Sequence, residues 1–175
     1  MEQYRHIFLT GEKRIGKSTV WKNVLERSGL QPAGFLTLPY DVNGRFRGFC
    51  LHALHPVSGE MGNDVPISVQ FKAGTHIGIA ESFDVFGTQL LRSAVSCSQL
   101  ILMDELGKFE RNAHDFQQAV TDCLDSPATV IGVLQHTDNA FLDQIRQRED
   151  VLILTVTEEN RNLLPNRIIA LLTQK

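Results

Sequence analysis

The sequence predicts an α/β protein: a three-layer sandwich around a mostly parallel, doubly wound sheet, with an antiparallel β-hairpin excursion at about 33–80. Three observations predict it. Short apolar runs at 4–10, 100–105, 129–135 and 151–157 alternate with amphipathic segments of helical period. The first run leads straight into a glycine-containing turn and then a helix over 20–27, ended by Ser28-Gly29. Between about 33 and 80 the pattern turns purely β, with Asn43-Gly44 joining extended runs at 33–40 and 45–54 as a hairpin.

The remaining elements follow in order. A turn at 56–60 leads to a strand at 67–71, and Phe83, Phe86, Leu90 and Ala94 share one face of a helix over 82–95 with Ser82 as its N-cap. A helix over 113–124 has Asn112 as cap and Pro127 beyond its end, and a short helix over 141–146 precedes the strand at 151–157. The segment 158–164 leads into a terminal helix over 167–172. At 175 residues the chain is one ordinary domain, 1–175.

Composition narrows the class. Apolar residues are 42% and charged residues 21%, and 17 basic against 20 acidic residues leave a net charge of -3, which gives no argument for a nucleic-acid partner. Cys50, Cys97 and Cys123 are odd in number and far apart, so they read as buried small apolar residues in a reducing compartment. Residues 1–6 lack the apolar stretch of a signal peptide, and no run approaches the ~18 apolar residues that span a bilayer. The expectation is a soluble cytoplasmic protein without membrane contact, a monomer or weak homo-oligomer.

The first informative stretch is Gly11-Glu12-Lys13-Arg14-Ile15-Gly16-Lys17-Ser18-Thr19, which fits G-x-x-x-x-G-K-[ST] after a strand and before a helix. A loop entering a helix aims unpaired N–H groups at one spot, and the helix dipole adds positive potential there. Gly11 and Gly16 allow close approach of backbone to phosphate, Lys17 bridges the β- and γ-phosphates, and Ser18 suits a Mg²⁺ ligand. Thr19 is placed for the α-phosphate. The whole stretch, Gly11 to Thr19, is therefore the candidate nucleotide-binding loop.

The second is Leu100-Ile101-Leu102-Met103-Asp104-Glu105, an apolar strand ending in two carboxylates at the sheet edge where ligands gather. Asp104 is the expected partner of Ser18 on Mg²⁺. Glu105, one residue beyond, is placed to orient and deprotonate a water for in-line attack on the γ-phosphorus. Glu105 and Lys17 are thus the candidate catalytic residues, and hydrolysis of nucleoside triphosphates, ATP and GTP among them, is the expected reaction. The alternative is a kinase of a nucleoside or other small acceptor, with the β excursion as acceptor pocket. A regulatory GTPase is disfavoured, because no Asn-Lys-x-Asp motif occurs.

With these motifs in place the chain resembles the small P-loop nucleoside-triphosphatases that include the cancer-related nucleoside-triphosphatase. The resemblance runs through Thr10 to Thr19, Gly34-Phe35-Leu36-Thr37, the Gly44 to Phe49 hairpin, Asp104-Glu105-Leu106-Gly107-Lys108-Phe109-Glu110 and Glu159-Asn160-Arg161. It implies Mg²⁺-dependent hydrolysis to the diphosphate and phosphate with loose base selectivity. Where that family usually carries Pro and Gly in the loop, this chain has Lys13-Arg14-Ile15, and Phe109 replaces a common Met.

Other residues have both a functional and an ordinary reading. Arg14 can act on the γ-phosphate as a finger in cis or point to solvent. Arg161 can meet a base or belong to an exposed helix start, while Lys108 and Arg111 read better as solvated loop charges than as phosphate contacts. His52 and His55 have H-x-x-H spacing but project to opposite sides of a strand, and His76 and His136 fall in presumed active-edge loops.

Overall fold

The structure is a computed structural model that describes residues 4–59, 62–72 and 74–173. A seven-stranded sheet has the order β4-β3-β2-β7-β8-β1-β9, with β1 His6–Thr10, β2 Ala33–Val42, β3 Arg45–Ala53, β4 Asp64–Pro66, β7 Leu100–Leu106, β8 Thr129–Leu134 and β9 Val151–Thr155. Strands β2, β7, β8, β1 and β9 run parallel, and β3 and β4 extend the sheet antiparallel at the β2 edge. A separate two-stranded sheet pairs β5 Ser68–Lys72 with β6 Thr75–Gly78. The predicted doubly wound sheet is present. The excursion is only partly separate from it, because β3 and β4 continue the main sheet.

Side chains alternate between the two faces as the two-residue period of a strand requires. Ile7, Leu9, Leu102, Ile131 and Val133 enter one apolar cluster with Val20, Trp21 and Val24 of α1 (Lys17–Ser28) and Leu164 and Ile168 of α6 (Leu164–Thr173). Phe8, Ile101, Met103 and Val130 enter the other. There they meet α3 (Thr88–Cys97), α4 (His114–Asp125) and α5 (Ala140–Arg146). These runs are apolar throughout because helices cover both faces.

Asn43 (φ 53) and Gly44 (φ 72) are both left-handed, as a two-residue hairpin turn demands. The predicted strand at 67–71 divides at Ile67, whose N–H donates to the Phe49 carbonyl at 2.8 Å between β4 and β5. The turn expected at 56–60 ends on Glu60, which lies outside the described residues.

Neither predicted side-chain cap forms. Ser82 is not a cap: helix starts at α2 (Ala80–Ser82), continues as a π-helical segment over Phe83–Gly87 and passes into α3. Asn112 is not one either. The residue before α4 is Ala113, and the first-turn N–H of Phe116 is taken by Asp84 Oδ1 from the π segment at 3.1 Å. Of the cysteines, Cys50 and Cys123 are buried as expected, whereas Cys97 is exposed at the end of α3. Among the described residues no helix is long and apolar enough to cross a membrane.

Candidate active site

The sheet order decides what meets at its carboxyl edge. Strand β8 lies between β1, which feeds the phosphate-binding loop, and β7, which carries the carboxylates. The loop begins where β1 ends. Gly11 (φ 135) is pressed against β9's continuation, where a Cβ would lie 2.7 Å from the Val156 carbonyl oxygen. Arg14 (φ 65) and Gly16 (φ 109) are also left-handed, and Gly16 is the residue from which α1 starts. The first turn of α1 has neither a side-chain cap nor an acidic residue, so its N–H groups are left for an external anion. The Trp21 indole N–H donates to the Gly132 carbonyl at 2.8 Å and fixes α1 on β8.

Lys17 lies folded over its own loop, with Nζ donating to the carbonyls of Gly11 (2.9 Å) and Glu12 (2.7 Å). Glu12, Lys13, Arg14, Ser18 and Thr19 are exposed, and Ile15 is half-buried. The structure brings Ser18 and Asp104 together: the Ser18 hydroxyl is near enough to the Asp104 carboxyl to favour its charged form. The Asp104 pKa is raised to about 6, chiefly by burial and in smaller part by the neighbouring Glu105 charge, against the lowering effects of Ser18 and Lys17. Two neighbouring hard oxygen donors beside a phosphate-binding loop fit Mg²⁺, which takes few protein ligands and completes its shell with water and phosphate. Among the described residues no group of three or more His, Cys, Asp or Glu side chains is arranged to hold a metal ion.

Glu105 is half-buried and held from two strands. Its N–H donates to Thr37 Oγ1 of β2 at 3.1 Å, and its Oε1 accepts from Gln135 Nε2, just past β8. Glu110 is 2% exposed, and its Oε1 accepts from the Gly107 N–H. Burial raises its pKa to about 7, with a smaller push from Glu105. Thr37, Glu105, Glu110 and Gln135 share a cavity of about 10 Å³ with Ile67, Phe83, Gly107 and Phe109. Thr37 and Gln135 are the contributors that sequence reasoning missed; the one available signal was a polar residue directly after the part of β2 that pairs with β7 and directly after β8.

The remaining basic residues separate. Arg161 reaches the loop, with NH1 donating to the Ile15 carbonyl at 3.5 Å, from a turn in which Asn160 Oδ1 accepts the Thr157 N–H at 2.9 Å. Arg14 is exposed on the loop itself. Lys108 instead lies over the Phe109 ring, 5.3 Å from its centre, and Arg111 donates to the Asp138 carbonyl at 2.6 Å. The histidines go elsewhere. His52 pairs with Asp64 at 2.9 Å and His55 Nδ1 accepts from the Gly34 N–H at 3.3 Å. His76 packs among Phe46, Phe49 and Phe109, and His136 is exposed.

A phosphate-binding loop and a serine–aspartate pair at the carboxyl edge of a three-layer α/β sheet define a P-loop nucleotide-binding protein. The model of one family, described as NTPase, matches residues 6–169, and the chain belongs to that family. It is 34% identical over 179 residues to the cancer-related nucleoside-triphosphatase of Homo sapiens, covering 93% of this chain and 94% of the relative. It is 29% identical over 167 residues to the nucleoside-triphosphatase THEP1 of Thermotoga maritima, covering 95% and 94%. The solution structure of the human cancer-related nucleoside triphosphatase superposes with a TM-score of 0.76 at 30% identity, covering 98% of each chain. The crystal structure of THEP1 from Aquifex aeolicus gives 0.74 at 25% identity, covering 96% of this chain and 99% of that one.

Proposed function

We propose that this chain is a Mg²⁺-dependent nucleoside triphosphatase that hydrolyses ATP, GTP and related triphosphates to the diphosphate and phosphate. The observation that carries this reading is the placement of Glu105 next to the Ser18–Asp104 pair, with its backbone held by Thr37 and its carboxylate by Gln135. The backbone N–H groups from Gly11 to Thr19 cradle the phosphates. Lys17 exchanges the Gly11 and Glu12 carbonyls for the β- and γ-phosphate oxygens. Ser18 and Asp104 hold Mg²⁺, which when bound neutralises charge developing on the phosphoryl group. Glu105 orients the attacking water and accepts its proton. Arg161, already against the loop, adds a second cation beside the phosphates.

The relatives, named as nucleoside-triphosphatases, give the kinase alternative no support. Between the β excursion and the Glu105 loop, Phe49, His76 and Phe109 pack at tilted and edge-on angles with centroids 5.4 to 6.3 Å apart. The cavity of about 10 Å³ that Phe109 shares with Glu105 suits one water and no acceptor. The three free cysteines fit a reducing cytoplasm. Phosphate release from ATP and GTP with Mg²⁺ and no added acceptor tests the assignment. Hydrolysis under those conditions supports it, and release that requires an acceptor hydroxyl refutes it.

A further inference from the structure

We propose that Gln135 is a positioning residue that fixes the working orientation of the Glu105 carboxylate, and that the missing side chain at Gly107 is what lets it reach. This rests on the reading that Glu105 orients the attacking water. The amide of Gln135 is used at both ends: Oε1 accepts from the Lys108 N–H at 3.3 Å and Nε2 donates to Glu105 Oε1. Rotating the amide by half a turn would set an N–H₂ against an N–H and a carbonyl oxygen against a carboxylate, so each contact enforces the other. One carboxylate oxygen of Glu105 is thereby occupied. The other remains an acceptor for water.

The main chain of Gln135 is equally fixed. Its N–H donates to the Leu106 carbonyl at 2.9 Å, and its carbonyl accepts from Arg146 NH2 at 2.6 Å. Its side chain then crosses directly over Gly107, where a Cβ would lie 2.1 Å from Gln135 Oε1 and 2.2 Å from Cδ. Gly107 is not among the glycines with positive φ, so an alanine there suits the backbone. The atoms it would displace are the end of the Gln135 side chain. Thr37 anchors the backbone of Glu105 from β2 while Gln135 aims its side chain from β8, two independent supports for one group.

Gln135→Met keeps length and removes the donor; Gly107→Ala keeps Gln135 and pushes it off Glu105. Each is expected to lower kcat roughly 10- to 100-fold, the scale of a misplaced reacting group. KM and the affinity for Mg²⁺ with a non-hydrolysable triphosphate should stay within about 2-fold, because the contact is not to the nucleotide. The double variant should be no slower than the slower single one, since both break one link. In a Glu105→Gln background Gln135→Met should have no further effect. Thermal melts establish that each variant is folded, and Gly107→Ala carries the test if Gln135→Met is not. A Gln135→Met enzyme with unmodified kcat while Glu105→Gln is inactive overturns this proposal alone, as does a rise in KM at constant kcat. So do effects of the two substitutions that multiply. A Glu105→Gln enzyme at the unmodified rate removes the underlying reading as well.

Discussion

Lys17 donates to carbonyls of its own loop, so under the proposed function a nucleotide would gain its charge by displacing two hydrogen bonds. The gain remains large because a charge-assisted contact to phosphate is stronger than one to a neutral carbonyl. Lys17→Ala should weaken triphosphate binding by roughly 10- to 100-fold, the scale of one hydrogen bond to a charged partner, and abolish turnover. Calorimetric titration measures this, and unchanged affinity would contradict the role. At this scale the gathering of Lys17, Ser18 and Glu105 around Asp104 was legible, because residue type and spacing mark both stretches. Gln135 and Thr37 were not. Their contacts to Glu105 cross between strands far apart in sequence, and no local spacing encodes such a pairing.

Among elements, the pairing of β2 with β7 controls the site most directly, since its register puts Leu36 beside Asp104 and thus Thr37 beside Glu105. Gly34 (φ 104) makes this pairing close: a Cβ there would lie 2.1 Å from the Leu102 carbonyl oxygen. Gly34→Ala should destabilise the fold by roughly 2–4 kcal/mol through backbone strain and a forced separation of the strands. Urea unfolding checks this, and a loss below about 0.5 kcal/mol, the ordinary surface range, would show that the strands accommodate a methyl. The long strands and helices were legible from apolar periodicity. β4 and β6 are three and four residues long, too short for a period to register. The Ser82 cap failed because the helix already begins at Ala80, and the Asn112 cap because Asp84, distant in sequence, serves α4 instead.

For the whole molecule, strand order was the least legible feature, because nothing local in β8 says that it lies between β1 and β7. That order brings Gln135 to Glu105, and the burial it creates also sets the response to pH. His6, fully buried, accepts the Val130 N–H at Nδ1 and donates from Nε2 to the Leu124 carbonyl, and burial lowers its pKa to about 4. Its contribution is present above its ordinary value of 6.5 and is lost as pH falls through about 4. Glu110 acts with the opposite sign. Its pKa is raised from 4.5 to about 7, so the folded chain keeps a proton that the unfolded chain releases, and stability falls as pH rises from 4.5 through 7. Glu110→Gln keeps an acceptor for the Gly107 N–H and removes that decline. Urea midpoints at pH 5 and pH 8 should therefore shift in the variant's favour at pH 8 relative to pH 5; an equal shift at both would mean that Glu110 ionises normally in the fold.

All three scales converge on the carboxylate at 105, which residue chemistry selects, strand register places and sheet order supports. The most direct measurement is phosphate release from a panel of triphosphates by the unmodified chain and by Glu105→Gln, alongside nucleotide affinity. Loss of most hydrolysis with affinity nearly intact is the predicted result, since an amide cannot take the water's proton. Hydrolysis by Glu105→Gln at the unmodified rate would contradict it.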